Sequence, residues 1–260
     1  MYKLKSWIKE KDLDWTNLCE NPRAIQLLEK YPYRINWYGL SGNPEALGFF
    51  EKSNRGRIHW YKMCGNPAAI HIIEKNVDKL NWTQICQNPG AISLIEKHPE
   101  RIVWWSLSYN PKAIHILEKN LDKINWYALS KNTGAIRLLE QNFDKISWGA
   151  LSGNAAAIPL LKDKIDWYLL SSNPAAIHLL ESNLDKVDWE MLHYNPAGTH
   201  LLKDLEKVDF YKLSKNPDIF EYDYEAMRES RHMLHEELIS VIYHPDNLTH
   251  FKECLKSVNP

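Results

Sequence analysis

A chain of 260 residues with 44% hydrophobic and 25% charged residues has the make-up of a soluble globular protein. Its formal net charge of -1 excludes a global field that would draw the whole molecule to nucleic acid or to an anionic membrane. No apolar run approaches the ~20 residues needed to cross a bilayer, so no membrane partner is expected.

The first residues, Met1 to Trp7, lack the apolar stretch of a secretion signal. Together with only four cysteines, this points to a reducing, cytoplasmic compartment. The segment Trp7 to Asp14 looks like the tail of a degenerate helix and is expected to act as an N-terminal cap (1-14).

From residue 15 the chain repeats. Aromatic residues stand at Trp15, Trp37, Trp60, Trp82, Trp104, Trp126, Trp148, Trp167, Trp189 and Phe210, mostly 22 residues apart. The exceptions are steps of 23 (Trp37 to Trp60), 19 (Trp148 to Trp167) and 21 (Trp189 to Phe210). Six residues after each aromatic comes an Asn (Asn21, Asn43, Asn66, Asn88, Asn110, Asn132, Asn154, Asn173, Asn195, Asn216), and Pro follows it in eight of the ten.

The repeat reads as two short helices. Asp, Asn or Ser precedes the aromatic in eight repeats (Asp14, Asn36, Asn81, Asn125, Ser147, Asp166, Asp188, Asp209), which is N-cap chemistry for a helix A opened by the aromatic. Asn-Pro then supplies the N-cap and first residue of a helix B. In helix B an Ala-Ile-x-Leu-Leu pattern, such as Ala24, Ile25, Leu27 and Leu28, gathers on one face. Asn76, Asn120, Asn142 and Asn183 are placed to end helix B in the left-handed conformation. Such short helices are not stable alone, so the repeats must stack.

A period near 22 also falls in the leucine-rich-repeat range, but those repeats need a strand of alternating apolar residues. The segment here has no such alternation, and a Pro stands where a ladder donor would be needed. The expected fold is therefore all-α: an α-solenoid of about ten two-helix repeats over residues 15-220.

Repeat seven loses three residues between Leu161 and Asp163 and carries Pro159, predicting a shortened or kinked helix B and a changed superhelical path. After Phe220 the repeat stops. Tyr224, Met227, Leu234, Leu238 and Ile242 mark a longer amphipathic helix, broken at His244-Pro245 before a last helical stretch. Together these form a non-repeat helical C-terminal cap (221-260).

The repeat motif is carried by Trp126-Tyr127-Ala128-Leu129-Ser130-Lys131-Asn132 and by Asn173-Pro174-Ala175-Ala176-Ile177-His178-Leu179-Leu180-Glu181. It resembles that of uncharacterised tandem-repeat proteins of giant DNA viruses of the mimivirus type. The ending, Phe220 to Met227 with Glu236-Glu237-Leu238 and His244-Pro245, is similar to theirs as well. The resemblance covers nearly the whole chain and brings no activity, cofactor or catalytic residue. It implies expression in an infected host cell, as a virion component or as a protein that engages host factors.

Five periodic features are candidate sites. Cys19, Cys64 and Cys86 occupy the helix A slot filled elsewhere by Ser41, Ser108, Ser130, Ser152, Ser171 and Ser214, a position for a small buried side chain; their spacing is not that of metal ligands, and no metal site or cofactor is expected. His71, His115, His178 and His200 fall opposite the apolar face of helix B, on an outward crest. A cation stands three residues before nine of the ten aromatics, Arg34, Arg57, Lys79, Arg101, Lys123, Lys145, Lys164, Lys186 and Lys207, with Asp12 in the tenth place. Such a ladder could track a phosphate backbone, but acids beside it and the nearby end of helix B favour capping and pairing. The Glu series (Glu29, Glu51, Glu74, Glu96, Glu118, Glu140, Glu181) is periodic, as a structural position would be.

The last feature is a pair of rows on helix A. Tyr38, Tyr61, Trp105, Tyr127, Tyr168 and Tyr211 follow the repeat aromatic directly. The position after them is expected to point outward, and becomes apolar in later repeats: Ala128, Ala150, Leu169 and Met191. Tyr127, Ala128, Ala150, Tyr168, Leu169 and Met191 would then form a groove for a peptide or helix of a protein partner. No phosphate loop or nucleophilic constellation is present. The expected function is a non-enzymatic protein-interaction scaffold in the host cytoplasm or the virion, with nucleic-acid binding or recruitment through the C-terminal segment as alternatives.

Overall fold

The computed structural model describes residues 1–51, 55–161, 163–203 and 208–242. The molecule is mostly helical, with regularly spaced helices that contact one another in sequence order. It divides into two compact units, Leu4–Phe220 and a second made of Met1–Lys3 with the segment from Glu221 onward.

Within Leu4–Phe220 the repeats, apart from seven and ten, share one plan. In repeat six, helix A runs Trp126–Ser130 and helix B runs Ile136–Gln141, followed by a 3-10 turn at Phe143–Lys145. The capping residues act as expected in seven of the eight positions: Asp14, Asn36, Asn81, Asn125, Asp166, Asp188 and Asp209 accept the backbone N–H three residues on, and only Ser147 does not. The Asn of Asn-Pro caps a 3-10 turn, such as Pro89–Ala91, that leads into helix B. The two-helix repeat is thus two helices and up to two 3-10 turns.

Three local expectations change. Asn76, Asn120, Asn142 and Asn183 have φ between -129° and -141°, so they are not left-handed. Each caps helix B with its side chain instead, donating to the carbonyl four residues back. In repeat seven only a 3-10 turn, Ile158–Leu160, remains of helix B. The deletion there is absorbed outside the A helices, because Asp166 N–H still reaches Ser152 Oγ at 2.9 Å, the link made between other neighbours.

The repeats are held together by a ladder of buried asparagines. Asn110 Nδ2 donates to the carbonyls of Cys86 (2.9 Å) and Asn88 (3.0 Å) in the preceding repeat, while its Oδ1 caps its own turn at Lys112 N–H. The same paired donation recurs at Asn43, Asn66, Asn88, Asn132, Asn154, Asn195 and Asn216. Asn173, after the deletion, keeps the bond to Ser152 O. Burying an amide is costly unless every polar atom finds a partner, and no buried side-chain N or O among the described residues lacks one.

The ladder has no free end. Asn21, in repeat one, donates to Ser214 O (3.1 Å) and Asn216 O (2.9 Å) in repeat ten. Asp14 N–H donates to Ser214 Oγ, as the corresponding residue does to the Ser, Cys or His in that slot of the preceding repeat elsewhere. Repeat one therefore packs on repeat ten as two on one, and Leu4–Phe220 closes into a ring. Residues 4–13 make this possible. Repeat ten has no helix B after its Pro217–Ile219 turn, and the N-terminal segment supplies the missing half: Lys5 N–H bonds Ile219 O, Ile8 and Leu13 are buried, and the Glu10–Asp12 turn takes the place of the 3-10 turn that precedes the aromatic in repeats two to seven and nine. The segment expected to be a cap is a closing strap.

The all-α expectation is also qualified by one small sheet, β1 (Tyr2–Leu4) with β2 (Phe220–Tyr222). In the second unit Tyr2 stacks on Tyr222, and the expected amphipathic helix runs Tyr224–Ile242. The stretch after it, with His244-Pro245, lies outside the described residues.

A helices pack directly on the A helices of neighbouring repeats, and Asn-Pro turns on Asn-Pro turns, while B helices lie farther apart. In a closed ring the closer elements lie on the shorter circumference, so the A helices face inward. With helices ~9 Å apart, ten would circle at a radius of about 14 Å. A side-chain bridge supports this crowding: Lys62 of repeat three reaches Glu20 of repeat one at 3.0 Å, over Gly39 and Gly42 of repeat two.

Candidate functional site: the A-helix face of the ring

The repeat aromatics are half-buried, not sealed in the core, and Trp189 is exposed. What covers them is the basic ladder. Arg34, Arg57, Lys79, Arg101, Lys123, Lys145, Lys164 and Lys186 each lie over the Trp that opens the same repeat, 4.6–5.7 Å from the ring centroid. A cation over an indole face is attracted by the ring quadrupole, and its stem shields apolar surface. Lys207 lies outside the described residues. Sequence reasoning found the ladder but assigned it to helix ends; the signal missed was that each cation has its own Trp.

The Cys and Ser slot is buried, and its role is inter-repeat. Backbone N–H groups of Asn36, Asn81 and Val103 donate to Cys19, Cys64 and Cys86 Sγ at 3.2, 3.4 and 3.3 Å. Burial pushes all three thiols up from their ordinary pKa, against the opposing pull of these N–H bonds, so they stay protonated at neutral pH. His193 fills the slot in repeat nine, with Nε2 accepting from Asp209 N–H and Nδ1 on Trp189 O.

The two helix A rows separate sharply. Ala128 and Ala150 are 1% exposed, so the expectation that they point outward is wrong. Their position faces the preceding repeat: an added Cβ on Gly153 would lie 3.9 Å from Leu169 Cβ. Leu169 and Met191 are half-buried there. The tight inner circumference closes this row where its side chains are small, at Ala128 and Ala150.

The aromatic row stays open. Tyr38 and Tyr61 (43% each), Trp105 (49%), Tyr127 (50%), Tyr168 (56%) and Tyr211 (61%) are, with Trp189, the exposed large apolar side chains of the A helices. Two carry cations at their faces, Lys62 by Tyr38 (5.0 Å) and Lys131 by Tyr127 (5.2 Å). Of the predicted groove residues, Tyr127 and Tyr168 lie on a common exposed row and the four aliphatic ones do not join it.

The histidine crest is exposed at all four positions. His115 Nε2 lies 2.9 Å from Glu96, and His200 Nε2 lies 2.8 Å from Glu181, each an acid of the preceding helix B. Part of the Glu series is thereby explained as an inter-repeat partner. Among the described residues no cluster of His, Cys, Asp or Glu could hold a metal ion, and no helix is long and apolar enough to cross a membrane. Comparison with family models, with curated proteins and with solved structures gives no match to this chain.

Proposed function

We propose that Leu4–Phe220 is a closed α-solenoid that acts as a non-enzymatic protein-interaction scaffold. The observation that carries this reading is the aromatic row. Large rings stand about half exposed at the same helix A position in six of the ten repeats, beside the buried Ala128 and Ala150. Tyr and Trp dominate protein interfaces because they bring much contact area at small entropic cost. The resemblance to giant-virus repeat proteins motivates seeking the partner among host or virion proteins, in the host cytoplasm or the particle.

The test is affinity purification from infected cells, comparing the intact protein with a Tyr127→Ser, Tyr168→Ser variant. Both side chains are exposed, so the variant should fold as the parent does. Selective loss of one protein partner is the expected result. Retention of every partner would move the interface to the helix B crest or to the C-terminal segment. That last alternative, an adaptor that recruits through residues 221–260, has one observation in its favour: Met233, Leu234 and Ile239 of the long helix are exposed. Nucleic-acid binding along the basic ladder is the weaker reading, because the cations are drawn to the Trp faces.

A further inference from the structure

Repeats two and three differ from the rest in their B-helix layer. The step between their aromatics is a residue longer. Helix B of repeat two begins at Gly48 and is described as far as Glu51. Its crest position, occupied by His71 in repeat three, is Gly48, and a Cβ there would meet nothing within 4 Å. With no side chain at that crest position, the neighbouring repeat is left uncovered there.

The consequence is a cavity of about 650 Å³, within the range of small-molecule sites. Its apolar surface comes from Phe50, Ile58, Trp60 and Ile72. Its polar surface comes from His71, Lys75, Asn76 and Lys79, and no lining residue is acidic. Lys79 Nζ is held 5.0 Å from the Trp60 ring centroid and 3.5 Å from Asn76 Oδ1. Lys75 makes no ion pair or hydrogen bond among the described residues.

We propose that this cavity binds a small amphipathic anion, an alkyl or aryl carboxylate. The tail lies on Phe50, Ile58, Ile72 and the Trp60 ring, and the carboxylate meets the Lys75 and Lys79 ammonium groups. Apolar walls with basic groups of one sign complement that chemistry, which neither a neutral lipid nor a bare inorganic anion matches at both ends. The site belongs to this one junction, and it is separate from the aromatic row on the A helices.

Titration calorimetry of the full chain with decanoate tests it, with decanol as the neutral match and inorganic phosphate as the anion without a tail. The expected result is one decanoate per chain, with decanol and phosphate at least about tenfold weaker. Lys75→Glu should weaken decanoate about tenfold or more, since it puts a like charge at the carboxylate. Lys75 is exposed, so its melting temperature should match the parent's. Ile72→Trp, which fills the cavity, should abolish binding. No decanoate binding, equal affinity for decanol, several equivalents per chain, or an unchanged affinity in Lys75→Glu would each overturn the proposal, whatever the behaviour of Ile72→Trp.

Discussion

The junction between repeats four and five and the junction between repeats ten and one use the same bonds on opposite terms. At the first, Asn110 bonds residues 24 and 22 positions back in a chain that runs directly between them. At the second, Asn21 bonds residues 193 and 195 positions away. Closing a longer loop costs more entropy, and the seam carries additional contacts. Lys5 Nζ lies 2.6 Å from Asp218, which also accepts from Thr199 Oγ1; Arg23 donates to Pro217 O and Phe220 O; and Lys215 reaches Glu20 at 3.1 Å. A ring closed by repeat packing alone would need only the ladder, so these ion pairs mark the place where the chain does not help.

The largest effect should come from cutting the ladder on each side of this comparison. Asn110→Ala strands two buried carbonyls and the Lys112 N–H, and at 1–3 kcal/mol per orphaned group the loss is about 4 kcal/mol. Asn21→Ala removes the same set at the seam. Denaturant titration should show similar losses for the two. Small-angle scattering below the transition should show a larger radius of gyration for Asn21→Ala alone, because only there can the repeats part without breaking a covalent path. Equal radii would mean that the seam is no weaker than an interior junction.

Most of the repeat could be read from the sequence, because each of its positions has a local cause: the N-caps, the Asn-Pro turn and the apolar face of helix B. Closure could not, since it depends on the angle between neighbours, which is set by how small residues such as Gly39, Ser106, Ala128 and Ala150 let A helices approach. A clue existed. Repeat ten lacks its second half and the residues before Trp15 lack a first half, so the two ends sum to one repeat. The candidate site was half legible for the same reason. The exposed row of Tyr127 and Tyr168 follows from helix geometry, but the burial of Ala128 and Ala150 follows from curvature.

A smaller, pH-dependent effect belongs to a carboxylate that pairs across the seam and into the interior at once. Burial opposes ionisation of Glu20, but Lys62 and Lys215 outweigh it and hold its carboxyl below the usual carboxylate range. A carboxylate with a depressed folded-state pKa stabilises the fold above its unfolded pKa, and the contribution is lost as pH falls through the folded value. Glu20→Gln should therefore cost about 1 kcal/mol at neutral pH after solvent screening. The difference from the parent should vanish as pH drops below the carboxylate range. A difference that persists in acid would show that Glu20 acts through packing and not through its charge.

The smallest effect tests what the basic ladder is for. Eight described cations cover eight Trp rings, and by register the acid Asp12 stands where a cation would cover Phe210. Phe is a poorer partner for a cation than Trp, so the one acid in the ladder falls at the one repeat without an indole. If the ladder exists for the rings, Lys145→Ala, which uncovers Trp126, should cost about 1 kcal/mol, and Lys145→Arg should cost nothing measurable. The double variant Lys145→Ala, Trp126→Phe should show coupling, the cost of the Lys change shrinking once the indole is gone. Additive losses would mean that Lys145 and Trp126 are neighbours without being partners, and would return the ladder to the solvent, where a phosphate backbone could use it.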